Sequence, residues 1–244
     1  MKAMILAAGL GTRLRPLTDD RPKALVTVAG RTLLEITLTR LRAFGVREVI
    51  VNAHHHAEMI VDYLKAHDYD MRIEVSLEEE LLDTGGGLKK VAPFFSDSLQ
   101  EPFILHNVDV LSTIDLERMM RFHTEQSALA TLAAQDRVTS RYLLFDEQGK
   151  LCGRQAGRDG KVELLRPAQQ ANALAFSGIH IISPQIFAKM EGEGAFSIID
   201  AYLRLASQGE KIVAFRVDEY YWRDMGRPEN LLEAAQDIAS GKYS

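Results

Sequence analysis

The sequence predicts an α/β fold, a mixed and mainly parallel sheet flanked by helices. Three observations predict it. Residues 3–8 form an apolar run the length of a buried strand, and it stops abruptly at Gly9-Leu10-Gly11-Thr12. Leu33, Leu34, Ile36, Leu38, Leu41 and Phe44 then recur at helical spacing, and a second apolar run at 48–51 follows a short turn. Helix, turn and apolar strand in succession is the repeat of a parallel sheet. Finally, Phe103-Ile104-Leu105-His106-Asn107-Val108-Asp109 is an apolar strand ending in polar groups, at the edge where open α/β sheets bind ligands.

Taken in order, the first strand delivers a loop suited to phosphate. Glycines let the backbone turn tightly and bring its N–H groups against a ligand. Arg13, Arg15 and Lys23 place cations just beyond, where they can meet phosphate oxygens. A nucleotide is the natural ligand. The loop is not a P-loop, because no Gly-x-x-x-x-Gly-Lys-Ser/Thr run occurs. Nor is it the dinucleotide fingerprint, since Leu14 stands at the third glycine position and Pro16 follows.

Residues 24–28 read as a short strand turned by Ala29-Gly30-Arg31, and Gly45 as the cap of the first helix. His54-His55-His56 invites a metal reading, but consecutive residues rarely face one ion. A polar loop entering a helix at 58–67 is the better account, with a strand at 72–76. Thr84-Gly85-Gly86-Gly87 ahead of Leu88, Val91 and Phe94 predicts a glycine loop that opens a helix. Beyond Asp109, residues 115–126 read as an amphipathic helix and 128–134 as a strand. The alternation then stops. Residues 141–150 read as two short strands joined by a turn, and a polar, glycine-spotted stretch precedes an apolar strand ending near 176–179. Two helices (185–190 and 197–207), a strand at 211–217 and a terminal helix at 229–240, opened by Pro228, complete the chain.

With 244 residues, 46% apolar and 26% charged, the chain can bury an ample core. A net charge of −5 argues against general nucleic-acid binding. The single cysteine, Cys152, excludes an internal disulfide and reads as a small buried hydrophobe. The N-terminal apolar run is too short for a signal peptide, and no run approaches a membrane span, so the expected location is cytoplasmic.

The run Leu6-Ala7-Ala8-Gly9-x-Gly11-Thr12-Arg13-Leu14-x-Pro16, followed by Arg21-Pro22-Lys23-Ala24-Leu25, resembles the signature of sugar-1-phosphate nucleotidyltransferases. Three later motifs extend the resemblance over nearly the whole chain. Asp83-Thr84-Gly85-Gly86 resembles the loop that closes over the nucleobase. Asn107-Val108-Asp109 resembles an Asn-Gly-Asp motif, with Val108 replacing glycine. Trp222-x-Asp224-x-Gly226-x-Pro228 resembles the C-terminal motif.

The resemblance implies a Rossmann-like fold of the GT-A type, with a small sugar-binding lobe. One domain would span 1–244, with 1–134 as the nucleotide-binding half and 135–244 as the sugar-binding half and terminal helix. The reaction implied joins a nucleoside triphosphate to a sugar 1-phosphate and releases pyrophosphate. Asp109 and Asp224 would hold Mg²⁺, Arg13 the departing phosphates and Lys23 the approaching ones. Ala7, Ala8, Gly9, Gly11, Thr12, Arg13, Thr84 and Gly85 would bind the nucleotide, and Asn107, Arg166 and Gly178 the sugar side. UTP is the favoured triphosphate and N-acetylmuramate 1-phosphate the favoured acceptor, in cell-wall recycling. The alternatives are guanylyl or cytidylyl transfer to heptose, mannose or choline phosphates, or a catalytically silent nucleotide-binding regulator. Neither nucleic acid nor membrane is an expected partner; a second copy of the chain, as a homodimer, is a candidate one.

Overall fold

Strand β1 (Lys2–Leu6) is buried on both faces, and the two faces organise the molecule. Ala3 and Ile5 enter one apolar cluster while Met4 enters the other, which is why the run reads as continuously apolar. The computed structural model describes residues 1–97 and 100–243. After β1 and a long loop, β2 (Thr27–Val28) and β3 (Arg31–Thr32) form a hairpin, followed by α1 (Leu33–Ala43), β4 (Glu48–Ala53), α2 (Ala57–Ala66), β5 (Arg72–Leu77) and α3 (Asp83–Lys90). Next come β6 (Phe103–Asn107), β7 (Val110–Ser112), α4 (Leu116–Gln126) and β8 (Ala130–Gln135). The remainder holds β9 (Arg141–Phe145), β10 (Leu151–Ala156), β11 (Val162–Leu164), β12 (Asn172–Ile182), α5 (Ile198–Ser207), β13 (Ile212–Arg216), β14 (Trp222–Asp224) and α6 (Pro228–Ala239).

The large sheet runs β11-β10-β9-β12-β6-β1-β4-β5, with β8 on β12 and β13 on β8. Its parallel core is β6-β1-β4-β5, and β12 joins β6 antiparallel. The antiparallel strands β9, β10 and β11 extend the far side, where the sequence alternation stops. A separate two-stranded sheet pairs β7 with β14.

Local chemistry explains the boundaries. Thr32 caps α1 by accepting from the Glu35 N–H at 3.0 Å, and Gly45, at φ 99°, lets the chain leave the helix in the left-handed region. Asp115 caps α4 in the same way through the Arg118 N–H. The strand expected at 24–28 is shorter than the sequence suggests. Lys23–Leu25 form a 3₁₀ turn whose N–H groups bond locally, and only Thr27 and Val28 pair with β3.

The glycine run is the larger correction. Gly85, Gly86 and Gly87 do not form a loop ahead of a helix; they lie inside α3 and are buried. A Cβ on Gly86 would come within 2.2 Å of the Gly194 carbonyl, and one on Gly85 within 2.5 Å of the Phe196 ring. The absent side chains let α3 press against residues 194–196, and that close approach outweighs glycine's poor helix propensity.

Three histidines sit fully buried in the cores. His123 lies between the hydroxyls of Thr131 and Ser183 at 2.9 Å, His180 meets Tyr202 at 2.9 Å, and His106 Nδ1 donates to the Asn107 carbonyl at 2.8 Å. Burial pushes His106 and His123 down to about 4 and His180 to about 3. The unfolded chain therefore takes up protons that the folded chain refuses. Stability is complete above the unfolded histidine value and falls as pH drops towards the folded values. We predict that the urea midpoint holds steady above about pH 7 and falls towards about pH 5, by up to ~2 kcal/mol per histidine. A midpoint constant over that interval contradicts neutral buried imidazoles.

Candidate active site

A cleft opens at the C-terminal ends of the parallel strands. It is lined by Leu6, Ala7, Ala8 and Gly9 from the first loop, Lys23, Asn52 after β4, Leu81, Asp83 and Thr84 around the start of α3, and Asn107, Val108 and Asp109 after β6. Polar groups collect here because strands of a parallel sheet all end at one edge, where their next residues leave the ladder. Residues 8–11 belong to no helix or strand, and Gly11 takes a φ of 64°. Its carbonyl accepts from the Thr18 hydroxyl at 2.9 Å, which folds the loop back on itself.

Two aspartates far apart in the chain sit on neighbouring turns beside this loop. Asp109 lies in the turn between β6 and β7, and Asp224 closes β14, opposite Val110. The Met225 N–H donates to the Asp109 carbonyl at 2.7 Å, tying the two turns together. Each carboxylate faces its own cation. Lys23 Nζ donates to Asp109 Oδ2, with both side chains largely buried. Arg13 approaches Asp224 Oδ2 at 3.9 Å and is more exposed. Asp224 is further held by the Gly226 N–H at 2.9 Å, and its carbonyl by the Asn230 amide at 2.6 Å. A Cβ on Gly226 would meet the Arg13 guanidinium at 2.6 Å, so this glycine clears room for it. Val108, in the position of a motif glycine, has no positive φ; it packs into the core at 4% exposure.

The predicted residues divide into three groups. Ala7, Ala8, Gly9, Lys23, Thr84, Asn107 and Asp109 line the cleft, and Arg13 and Asp224 pair beside it. Gly11 and Thr12 lie on the same loop without lining the cleft. Gly178, at φ 77°, sits behind Asn107, where a Cβ would fall 3.1 Å from the amide and 2.7 Å from Val110.

Gly85 and Arg166 are committed elsewhere. The N–H groups of Gly85 and Gly86 donate to the Phe196 carbonyl, and Thr84 Oγ1 accepts from the Ile198 N–H at 3.0 Å, capping α5. Arg166 pairs with Asp146 at 2.5 Å and donates to the Leu151 and Lys150 carbonyls, clamping the β9–β10 hairpin outside the cleft lining.

Asn52 and Glu78 escaped the sequence reading. Asn52, 2% exposed, accepts the Ala7 N–H at 2.7 Å and donates to Glu78 Oε1 at 2.7 Å. Glu78, 5% exposed, accepts the Leu82 N–H at 3.0 Å. The pair thus bolts the glycine loop to the start of α3, and a Cβ on Gly87 would collide with both side chains. The visible signal was an asparagine closing the apolar strand Val49-Ile50-Val51, the same arrangement that marks Asn107.

Comparison with known proteins follows the same lines. The sequence pattern of the nucleotidyl transferase family matches residues 2–241. The N-acetylmuramate alpha-1-phosphate uridylyltransferase of Caulobacter vibrioides is 34% identical, over 97% of this chain and 96% of that protein. Mannose-1-phosphate guanylyltransferase 1 of Arabidopsis thaliana is 29% identical over 95% of this chain, which spans only 63% of that protein. A putative glucose-1-phosphate thymidylyltransferase of Bacillus anthracis, solved with sucrose, superimposes with a TM-score of 0.79 at 16% identity, over 97% of this chain and 94% of that one.

We predict that Asn52→Ala destabilises the fold by about 2–4 kcal/mol, because it strands a buried N–H and a buried carboxylate oxygen. It should also raise the Michaelis constant for the triphosphate. An unchanged urea midpoint with unchanged kinetics would show that the bolt is idle.

Proposed function

The chain belongs to the nucleotidyl transferase family of sugar-phosphate enzymes, and on that premise we propose that it transfers uridylate from UTP to N-acetylmuramate 1-phosphate, releasing pyrophosphate. The observation that carries the reading is that the tied turns of Asp109 and Asp224, each carboxylate with its own cation, lie beside the glycine loop. The near full-length match to a uridylyltransferase of that acceptor supports the choice of substrates, and we assign the reaction to cytoplasmic cell-wall recycling. Among the described residues no helix is long and apolar enough to cross a membrane.

The chemistry needs little from side-chain acids and bases. A phosphate monoester has a second pKa near ~6, so the acceptor reaches the site as a dianion and needs no general base. Consistently, His106, on the strand that delivers Asp109, is fully buried and held neutral. The barrier is charge repulsion and alignment. The glycine loop receives the triphosphate, Lys23 holds the approaching and reacting phosphates, and Arg13 holds the β and γ oxygens as they take up charge. Asn107, backed closely by Gly178, orients the sugar side.

Asp109 and Asp224 fit Mg²⁺ by their chemistry, as hard oxygen donors. Among the described residues no further His, Cys, Asp or Glu joins them, which leaves coordination positions for phosphate oxygens and water. When bound, Mg²⁺ supplies positive charge that offsets the α-phosphate. The second reading exchanges the base: the 29% identity to a mannose-1-phosphate guanylyltransferase supports GTP with the 1-phosphate of an uncharged hexose.

Pyrophosphate release from four nucleoside triphosphates against a panel of sugar 1-phosphates tests the proposal. UTP with N-acetylmuramate 1-phosphate should be turned over best. Tight nucleotide binding with no release from any pair would mark a silent binder instead. We further predict that Arg13→Ala lowers kcat far more than it weakens UTP binding, because its contact strengthens as charge moves onto the leaving group. Arg13 and Asp224 make only a long, partly exposed pair, so stability should change by about 0–1 kcal/mol. Equal losses in kcat and UTP affinity would deny Arg13 a role in the transition state.

A further inference from the structure

Arg137 lies in the turn after β8, outside the cleft lining, and none of the roles above uses it. Its guanidinium stacks on Trp222, 4.1 Å from the ring centroid, and donates to the Phe176 carbonyl at 2.8 Å. Its Nε is buried and meets no hydrogen-bond partner among the described residues. No carboxylate among those residues forms an ion pair with it, and the charge of Asp224 acts on it only at longer range. A half-buried cation without a counter-ion pays for its desolvation only in part through a carbonyl and an aromatic face. Such a group is poised to receive an anion.

Its position says which anion. Phe176 and Gly178 lie on β12, and Trp222 and Asp224 lie on β14. In the sheet, β12 and β6 stand on one side of β1, while β4 with Asn52 stands on the other. Arg137 is therefore on the side of β1 opposite Asn52, the side the proposed function assigns to the acceptor. Trp222 and Asp224 are two residues apart on one strand, so they share a face at a spacing of ~6.6 Å. The phosphate that reacts must lie at Asp109 and Asp224. Arg137, over Trp222, is one strand repeat beyond it and addresses a different group of the same acceptor.

We propose that Arg137, stacked on Trp222, forms a subsite for a carboxylate carried on the acceptor sugar, so that the enzyme selects acidic sugar 1-phosphates. The inference rests on the acceptor being a sugar 1-phosphate, as argued above. A carboxylate matches the guanidinium fork in shape and charge.

N-acetylmuramate 1-phosphate and N-acetylglucosamine 1-phosphate make a matched pair, since only the first carries a lactyl carboxylate. Trp222 is the only tryptophan in the chain, so its fluorescence reports this subsite directly. The test measures kcat and KM for both acceptors with UTP, and fluorescence titration of each, for the parent, Arg137→Met and Arg137→Lys. The parent should favour the lactyl acceptor. Arg137→Met, which keeps the stem on the indole, should weaken that acceptor at least ~10-fold, as loss of a charged hydrogen bond does, and the neutral acceptor less than ~2-fold. Arg137→Lys should recover part of the loss, since a point charge replaces the fork.

Equal weakening of both acceptors would reduce Arg137 to a support for Trp222 and overturn the subsite. A parent that turns over both acceptors without preference, or only neutral sugars, would overturn it while leaving nucleotidyl transfer intact. No pyrophosphate release with any sugar 1-phosphate would instead remove the function on which the subsite rests.

Discussion

The short antiparallel pairing of β7 with β14 is the constraint on which the site depends. The main sheet alone delivers Asp109 to the cleft edge, but it has no means of bringing Asp224 there. The small sheet does so with few bonds, and the rest of the C-terminal region secures it. Trp222 Nε1 donates to the Ser177 carbonyl at 2.7 Å, and Tyr221 N–H to the Thr113 hydroxyl at 3.1 Å. Arg223 reaches Asp237 on α6 at 2.6 Å, and Asn230 holds the Asp224 carbonyl. The terminal helix therefore acts as a brace for the Asp224 carboxylate. Two like charges on tied turns repel, and Lys23 and Arg13 each neutralise one of them. The same cations are the groups a triphosphate needs.

On the other wall, polar bolts replace strand pairing. Asn52 and Glu78 connect Ala7 to Leu82, and Gly87 leaves the space in which they meet. Each bond is worth only about 1 kcal/mol net, yet breaking one exposes its partner to the larger cost of an unsatisfied buried group. That asymmetry favours a rigid wall. The glycines of α3 serve the same end by letting the helix seat on residues 194–196, so this wall of the cleft is bonded to the start of α5.

What the sequence revealed were the features with local signatures. An apolar run ending in Gly9-Leu10-Gly11, an Asn-x-Asp after a strand and a Trp-x-Asp before a helix each announce themselves within ten residues, and all three arrive at one cleft edge. Features made by distant packing were not legible. Glu78 sits in a run of three glutamates and looks solvated, yet it is buried because Asn52 and Leu82 satisfy it. Gly85 looks like a flexible loop residue until Phe196 is placed against it. Arg166 matched a motif loosely, and its chemistry is explained by Asp146, twenty residues away in sequence and adjacent across a hairpin. Arg137 carries no local signature at all; its meaning comes from Trp222, on a strand that the sequence does not place beside it.

The central claim is that Asp109 and Asp224 form one cation site rather than two. Titration of Mn²⁺ by electron paramagnetic resonance in the presence of UTP addresses it directly, in the parent, Asp109→Asn, Asp224→Asn and the double variant. One shared site predicts that each single substitution abolishes most nucleotide-dependent binding and that the double variant is no worse, the non-additivity of groups acting together. Parent-like Mn²⁺ binding by Asp224→Asn, or losses that simply add, would contradict it.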